Sequence, residues 1–232
     1  FPDGSLPLAD LDIDGATDIG ADIADADLFI IDDGAGGTNR KVAASRLKTY
    51  IPGGQKVLIS TVEAGSGDAG AGGITSTTFS STYDVYEIVI EAMNINAAAI
   101  IQIQFGTSSG TDTGNVYKTG HVGNHEAGSV ISGGTDGNHG TSIVLTGGDG
   151  TADRIHETTR NFNCALQVYS PNLGSITNFT YASGFKGNGG HQSFIVGGGT
   201  IATTTQYDRW VMKSSAGTIH GPYKVTTWGI NS

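Results

Sequence analysis

Hydrophobic and polar residues alternate with a period of two along most of this chain. In Ala99–Phe105, Ala99, Ile101, Ile103 and Phe105 fall on one side and Gln102 and Gln104 on the other. Such alternation marks a half-buried antiparallel strand. Tyr86, Ile88, Ile90 and Ala92 share a face of a predicted strand Tyr83–Ala92, with Asn94 and Asn96 marking the turn after it. Phe162, Cys164, Leu166 and Val168 share a face of Phe162–Tyr169, and Trp210 and Met212 oppose Arg209 and Lys213 in Tyr207–Lys213. Further strands are predicted over Lys56–Glu63, Ile74–Ser80, Thr141–Thr146, Ser175–Phe185 and His191–Val196. A last one, Gly217–Ile230, bends at Gly221-Pro222. Residues 106–140 hold only isolated apolar positions such as Val116, Tyr117, Val130 and Ile131, which predicts short strands with long exposed loops.

The first fifty residues follow another pattern. Leu6, Leu8, Leu11, Ile13, Ile19, Ile23 and Leu28 are scattered among Asp, Ala and Gly with no sustained helical period. That strip is too apolar for a free tail and too short to enclose a core of its own. It calls for a partner surface. Leu28–Ile31 predicts a short strand, 33–38 a turn-rich loop, and Asn39–Val42 a returning strand. Ala43–Tyr50 has helical composition, with Ser45 as N-cap and Pro52-Gly53-Gly54 as a stop. The predicted organisation is therefore an extended N-terminal module with one short helix, residues 1–51, and a larger domain, residues 56–232.

Composition sharpens the fold. Glycine supplies 37 of 232 residues, so frequent turns between short strands are expected. About ten strands separated by turn signals predict an all-β fold, an antiparallel β-sandwich that is jelly-roll-like. An open sandwich leaves edge strands to protect, and symmetric assembly would protect them while covering the apolar strip.

Charge narrows the partners. The net charge is −10, which disfavours nucleic acid as a partner. The imbalance is local: residues 1–33 carry ten Asp and no Lys or Arg, and Arg40, Lys41, Arg46, Lys48 and Lys56 follow. Pairing of acidic and basic stretches between neighbouring chains makes Asp32, Asp33, Asn39, Arg40, Arg46 and Tyr50 the candidate assembly residues. No apolar run approaches the ~20 residues that span a bilayer, so no membrane insertion is expected. One cysteine, Cys164, allows no internal disulfide. A start at Phe1 instead of Met reads as a fragment or a processed product.

Several stretches carry a resemblance. Leu11-Asp12-Ile13-Asp14-Gly15-Ala16-Thr17-Asp18-Ile19-Gly20, Ala24 to Leu28, Asp32-Asp33-Gly34, Gly37-Thr38-Asn39-Arg40-Lys41 and Ser45-Arg46-Leu47 together resemble a recurring module of phage tail-fibre and related virion proteins. Tyr83 to Glu91, Ile101 to Phe105, and Ser215 to Ile230 are similar to β-sandwich domains of the same kind of protein. The resemblance implies a virion component, commonly homotrimeric, that joins other virion proteins or touches the host. Neither a heptad stalk nor β-helix repeats are visible.

Motifs for chemistry are sparse. Gly65-Ser66-Gly67-Asp68-Ala69-Gly70 matches G-x-G-x-x-G, but β-branched residues follow it where a dinucleotide site needs a helix. Asp12-x-Asp14-Gly15 opens like a calcium loop, yet Ile23 stands where its bidentate Glu belongs. His121, His125 and His139 lie in a Gly-rich stretch that opposes the helix a His-x3-His zinc pair would use. With Tyr117 they read instead as receptor-facing loop residues suited to a host glycan or protein. Cys164 sits on an apolar strand face and reads as an inert core residue. Glu87 and Glu91, four apart on one strand, stand ~13 Å apart, beyond either glycosidase spacing. No nucleophile elbow is present. The expectation is thus a non-enzymatic virion protein of the particle exterior, a tail fibre or tail-associated component, with no cofactor, metal or catalytic residue. The alternatives are a head decoration or capsid-cementing protein and a surface-polysaccharide hydrolase.

Overall fold

In a computed structural model, residues 22–32, 39–50, 56–65, 73–125, 130–134, 140–146, 155, 162–187, 190 and 192–230 are described. The chain divides into two compact units, Phe1–Gly53 and Gly54–Ser232.

The first unit contains a hairpin of β1 (Leu28–Asp32) and β2 (Asn39–Ala43), antiparallel with Leu28 opposite Ala43 and Ile30 opposite Lys41. Helix α1 (Ala44–Tyr50) follows β2 without a linker. The helix begins one residue ahead of the expected cap, so Ser45 lies inside its first turn. Its first amides are satisfied by backbone instead: Ala44 N–H donates to the Asp27 carbonyl at 2.8 Å and Ser45 N–H to the Asp25 carbonyl at 3.3 Å.

The second unit is a sandwich of two antiparallel sheets. The larger runs, in spatial order, β3 (Lys56–Ala64), β16 (Tyr223–Ile230), β5 (Val85–Ile95), β11 (Phe162–Tyr169), β12 (Thr177–Lys186), β13 (Gln192–Ile201), β8 (Tyr117–His125) and β9 (Val130–Gly134). The short β15 (Ile219–His220) pairs beside β5. The smaller runs β10 (Ile143–Val144), β6 (Ile101–Thr107), β14 (Arg209–Ser214) and β4 (Ile74–Thr77), with β7 (Gly110–Thr111) on β6. Take β3, β4, β5, β6, β10, β11, β14 and β16 as first to eighth. The larger sheet then sets first, eighth, third and sixth side by side, and the smaller sets second, seventh, fourth and fifth. That is the two-Greek-key order of a jelly roll. Two insertions, β8–β9 and β12–β13, zip together and widen the larger sheet beyond its sixth strand.

Alternation explains the core. Tyr86, Ile88, Ile90, Ile101, Ile103, Phe105, Leu166, Val168, Trp210, Met212 and Val225 are fully or almost fully buried between the sheets. Trp210 Nε1 donates to Thr227 Oγ1 at 3.2 Å, a bond from the smaller sheet to the larger. Edge-to-face contacts join Phe79, Tyr86 and Phe105, with ring centres 4.9 and 5.2 Å apart.

The differences from expectation have local causes. Ala92 does not continue the buried face of β5, because a bulge there places it at φ 55° and shifts the phase, so that Met93 and Ile95 turn inward. Its amide donates to Asn163 Oδ1 at 3.0 Å. The strand consequently runs through Asn94, expected as a turn. Strand β13 continues past Val196, where the predicted strand ends, through Gly197-Gly198-Gly199 to Ile201. A side chain at Gly197 would enter the Tyr181 ring and one at Gly199 the Lys118 carbonyl, so glycine is what lets these strands approach. Thr141–Thr146 shortens to the two residues of β10.

Candidate interaction surfaces

The candidate assembly residues belong to the first unit. Asp32 pairs with Asn39 across the hairpin, Arg40 lies opposite Ile31, and Tyr50 ends α1. Arg46 is exposed on that helix, and Asp33 lies outside the described residues. Around them the apolar side chains are uncovered. Ile23, Leu28, Ile30, Ile31 and Leu47 are exposed, Leu28 by 60% and Ile30 by 65%. Five of the twelve exposed large apolar side chains among the described residues lie in this small unit, so apolar surface is concentrated there. Leu28 and Ile30 share one hairpin face and Ile31 takes the other. Neither face is closed.

The four residues expected in receptor-facing loops are placed otherwise. Tyr117 is a correction: it is wholly buried at the start of β8, and its hydroxyl accepts the Phe105 N–H at 2.8 Å. Burial, offset in part by that bond and reinforced by Asp112, pushes its pKa well up. Its hydroxyl remains a donor, directed at the Asp112 carbonyl 3.3 Å away. Beside it the Tyr207 hydroxyl donates to Asp112 Oδ2 at 2.8 Å, and Gly114 N–H to Oδ1 at 2.9 Å. Burial first, then the carboxylate, likewise raises the Tyr207 pKa. The cluster pins the 107–116 connection to the sheets and floors a polar cleft of about 250 Å³. His121 and His125 lie in β8, a paired strand in a region expected to be loop. His139 is outside the described residues.

Cys164 lies on the inner face of β11 and is buried, and burial pushes its thiol pKa well up. Glu87 and Glu91 share the outer face of β5, where Glu87 pairs with Lys56. Glu91 and Glu63 border a cleft of about 720 Å³, whose other walls include Tyr223, Pro222 and Lys224. Lys224 stands opposite both glutamates in the register and reaches Glu63 at 3.6 Å. Lys224 thus stands between the two glutamates in the strand register. Exposed ion pairs of this kind contribute little to stability. No group of three or more His, Cys, Asp or Glu side chains suited to a metal is found among the described residues.

A surface without a sequence signal is the outer face of the larger sheet. Val122, Val196, Ala182, Ala165 and Val89 form one row in register across five strands. Val122 is 52% exposed, and Phe194, in the next row, 57%. Phe194, Ala182, Gly184 and Asn163 edge a shallow depression of about 360 Å³. In the sequence, Phe194-Ile195-Val196 is a continuous apolar run, so periodicity alone does not choose its outward face.

The fold and these surfaces define an all-β, antiparallel jelly-roll sandwich carrying a small apolar hairpin unit. No family model matches the chain, and no curated protein sequence matches it.

Proposed function

We propose that this chain is a non-enzymatic structural component of a bacteriophage particle, a tail-fibre or tail-associated protein that self-associates as a homotrimer. The observation carrying this reading is the uncovered apolar surface of the hairpin unit, Leu28, Ile30, Ile31 and Leu47 above all. Exposed side chains in such density on so small a unit mark an interaction site. The resemblance of residues 11–47 to a virion module supplies the kind of assembly. Neighbouring copies and other virion proteins cover the hairpin, and the sandwich forms the particle exterior, where a host glycan or protein is its further contact.

The jelly-roll strand order also suits the second reading, a head decoration or capsid-cementing protein, since that architecture recurs in capsid domains. Cryo-electron microscopy of particles separates the two by position. The assembly contacts are tested by Arg40→Ala with Arg46→Ala in the full chain. The double change is expected to lower the oligomer mass in light scattering while the sandwich melts as before. An unchanged mass would refute the assignment of these residues.

A further inference from the structure

The outer face of β12, β13 and β8 has three properties that its own fold does not require. It is apolar at its centre, where Val122 and Val196 face each other in register and Phe194 stands beside them, all three exposed. Its charge is locally positive: the outward positions of these three strands and of β11 include Lys118 and Lys186 and no Asp or Glu. The carboxylates of this face, Glu87 and Glu91, begin on β5, where Glu91 borders the far side of the Phe194 depression. It is also lowered by glycine where no packing demands it. A side chain at Gly120 would meet nothing within 4 Å, and one at Gly184 only the Ser193 carbonyl at 3.9 Å. Glycine weakens a strand interior, and an outward glycine with room above it leaves space for a ligand or another backbone to come close. Gly120 lies beside Val122 on β8, two residues along, and Gly184 lies directly opposite Phe194.

We propose that this face seats the acidic, apolar N-terminal segment, residues 1–21, of a neighbouring copy. The inference rests on the reading that the chain works assembled, and names one surface used in doing so. The segment carries Leu6, Leu8, Leu11, Ile13 and Ile19 for the Val122–Val196 ridge, and Asp3, Asp10, Asp12, Asp14 and Asp18 with no Lys or Arg. The part of the face formed by β8, β13, β12 and β11, with Lys118 and Lys186 and no outward carboxylate, is its electrostatic complement. The glycine positions admit an extended chain lying against the sheet. Because the attraction runs between surface charges over several ångströms, it weakens as salt rises.

The test is zero-length carbodiimide crosslinking, which joins Lys to Asp, on full chain mixed from natural-abundance and 15N-labelled protein by unfolding and refolding together. The expected result is crosslinks from Lys118 or Lys186 to Asp3, Asp10, Asp12, Asp14 or Asp18 in which the two peptides carry different isotopes. Gly120→Glu, which the open space accommodates without strain, is expected to reduce their yield about tenfold through steric filling and like charge while the melting temperature holds. An oligomer whose crosslinks from these lysines are absent, or always of one isotope, overturns the inference and leaves the assembly reading standing. Full yield from a folded Gly120→Glu variant does the same. A monomeric mass overturns both.

Discussion

Trp210→Ala is expected to lower the stability of the sandwich by about 3–5 kcal/mol, in the range of the largest core truncations. Trp210 is fully buried on β14, flanked in register by Phe105 on β6 and Ser76 on β4. Its ring fills the space between the sheets, and the surrounding strands are held by ladders on both sides, so the cavity cannot collapse. Its Nε1–H is also a bond to the opposite sheet, and Thr227, itself fully buried, loses that partner. For a unit of this size the loss corresponds to a fall in melting temperature of roughly 6–20 °C. Trp210→Phe separates the contributions: it retains most of the volume and gives up the bond, so a smaller cost of about 1–3 kcal/mol is expected. Thermal melts of the three proteins check both figures. Equal stability of wild type and Trp210→Ala would mean that the two sheets are not joined through this residue.

The second large effect concerns assembly. Leu28→Asp with Ile30→Asp is expected to weaken self-association by roughly 100- to 10,000-fold. The estimate follows from losing two interface side chains, each worth about 1.5–3 kcal/mol when buried. Both residues are more than half exposed in the single chain and lie on one face of the hairpin, so aspartate there meets water and the folded unit tolerates it. Burying two carboxylates in an apolar interface carries a further penalty. Light scattering across a concentration series, with a melt of each variant, distinguishes lost assembly from lost folding. If the variant holds the wild-type mass, the hairpin is not an assembly surface.

The parts of this fold legible in the sequence are those where a strand has one wet and one dry face. The bounds of Phe162–Tyr169 are legible to the residue because its alternation is unbroken. Ala99–Phe105 shows its apolar buried face, although Gln104 on its polar side is also buried, bonded to the Thr141 carbonyl and Lys213. The bend before Tyr223 was visible in Gly221-Pro222. Legibility failed where glycine replaced side chains. The 106–140 region contains β8, a nine-residue strand, but Gly120 and Gly123 interrupt its pattern and its partner β13 is itself rich in glycine. Each strand is defined by the other, and neither announces itself. Tyr117, an isolated tyrosine among polar residues, has the sequence context of a loop aromatic; its role comes from Phe105 and Asp112, which only the fold brings near. The apolar surplus of the first fifty residues was legible as composition, whereas the outward ridge of Val122, Val196 and Phe194 depended on a register that no single strand encodes.

Everything functional in this account depends on whether other subunits cover the greasy hairpin. The mass of the unmodified chain in solution, by light scattering over a wide concentration range, measures this most directly. The account predicts a particle of three 23.7 kDa chains that persists on dilution. A single-chain mass at every concentration would contradict it.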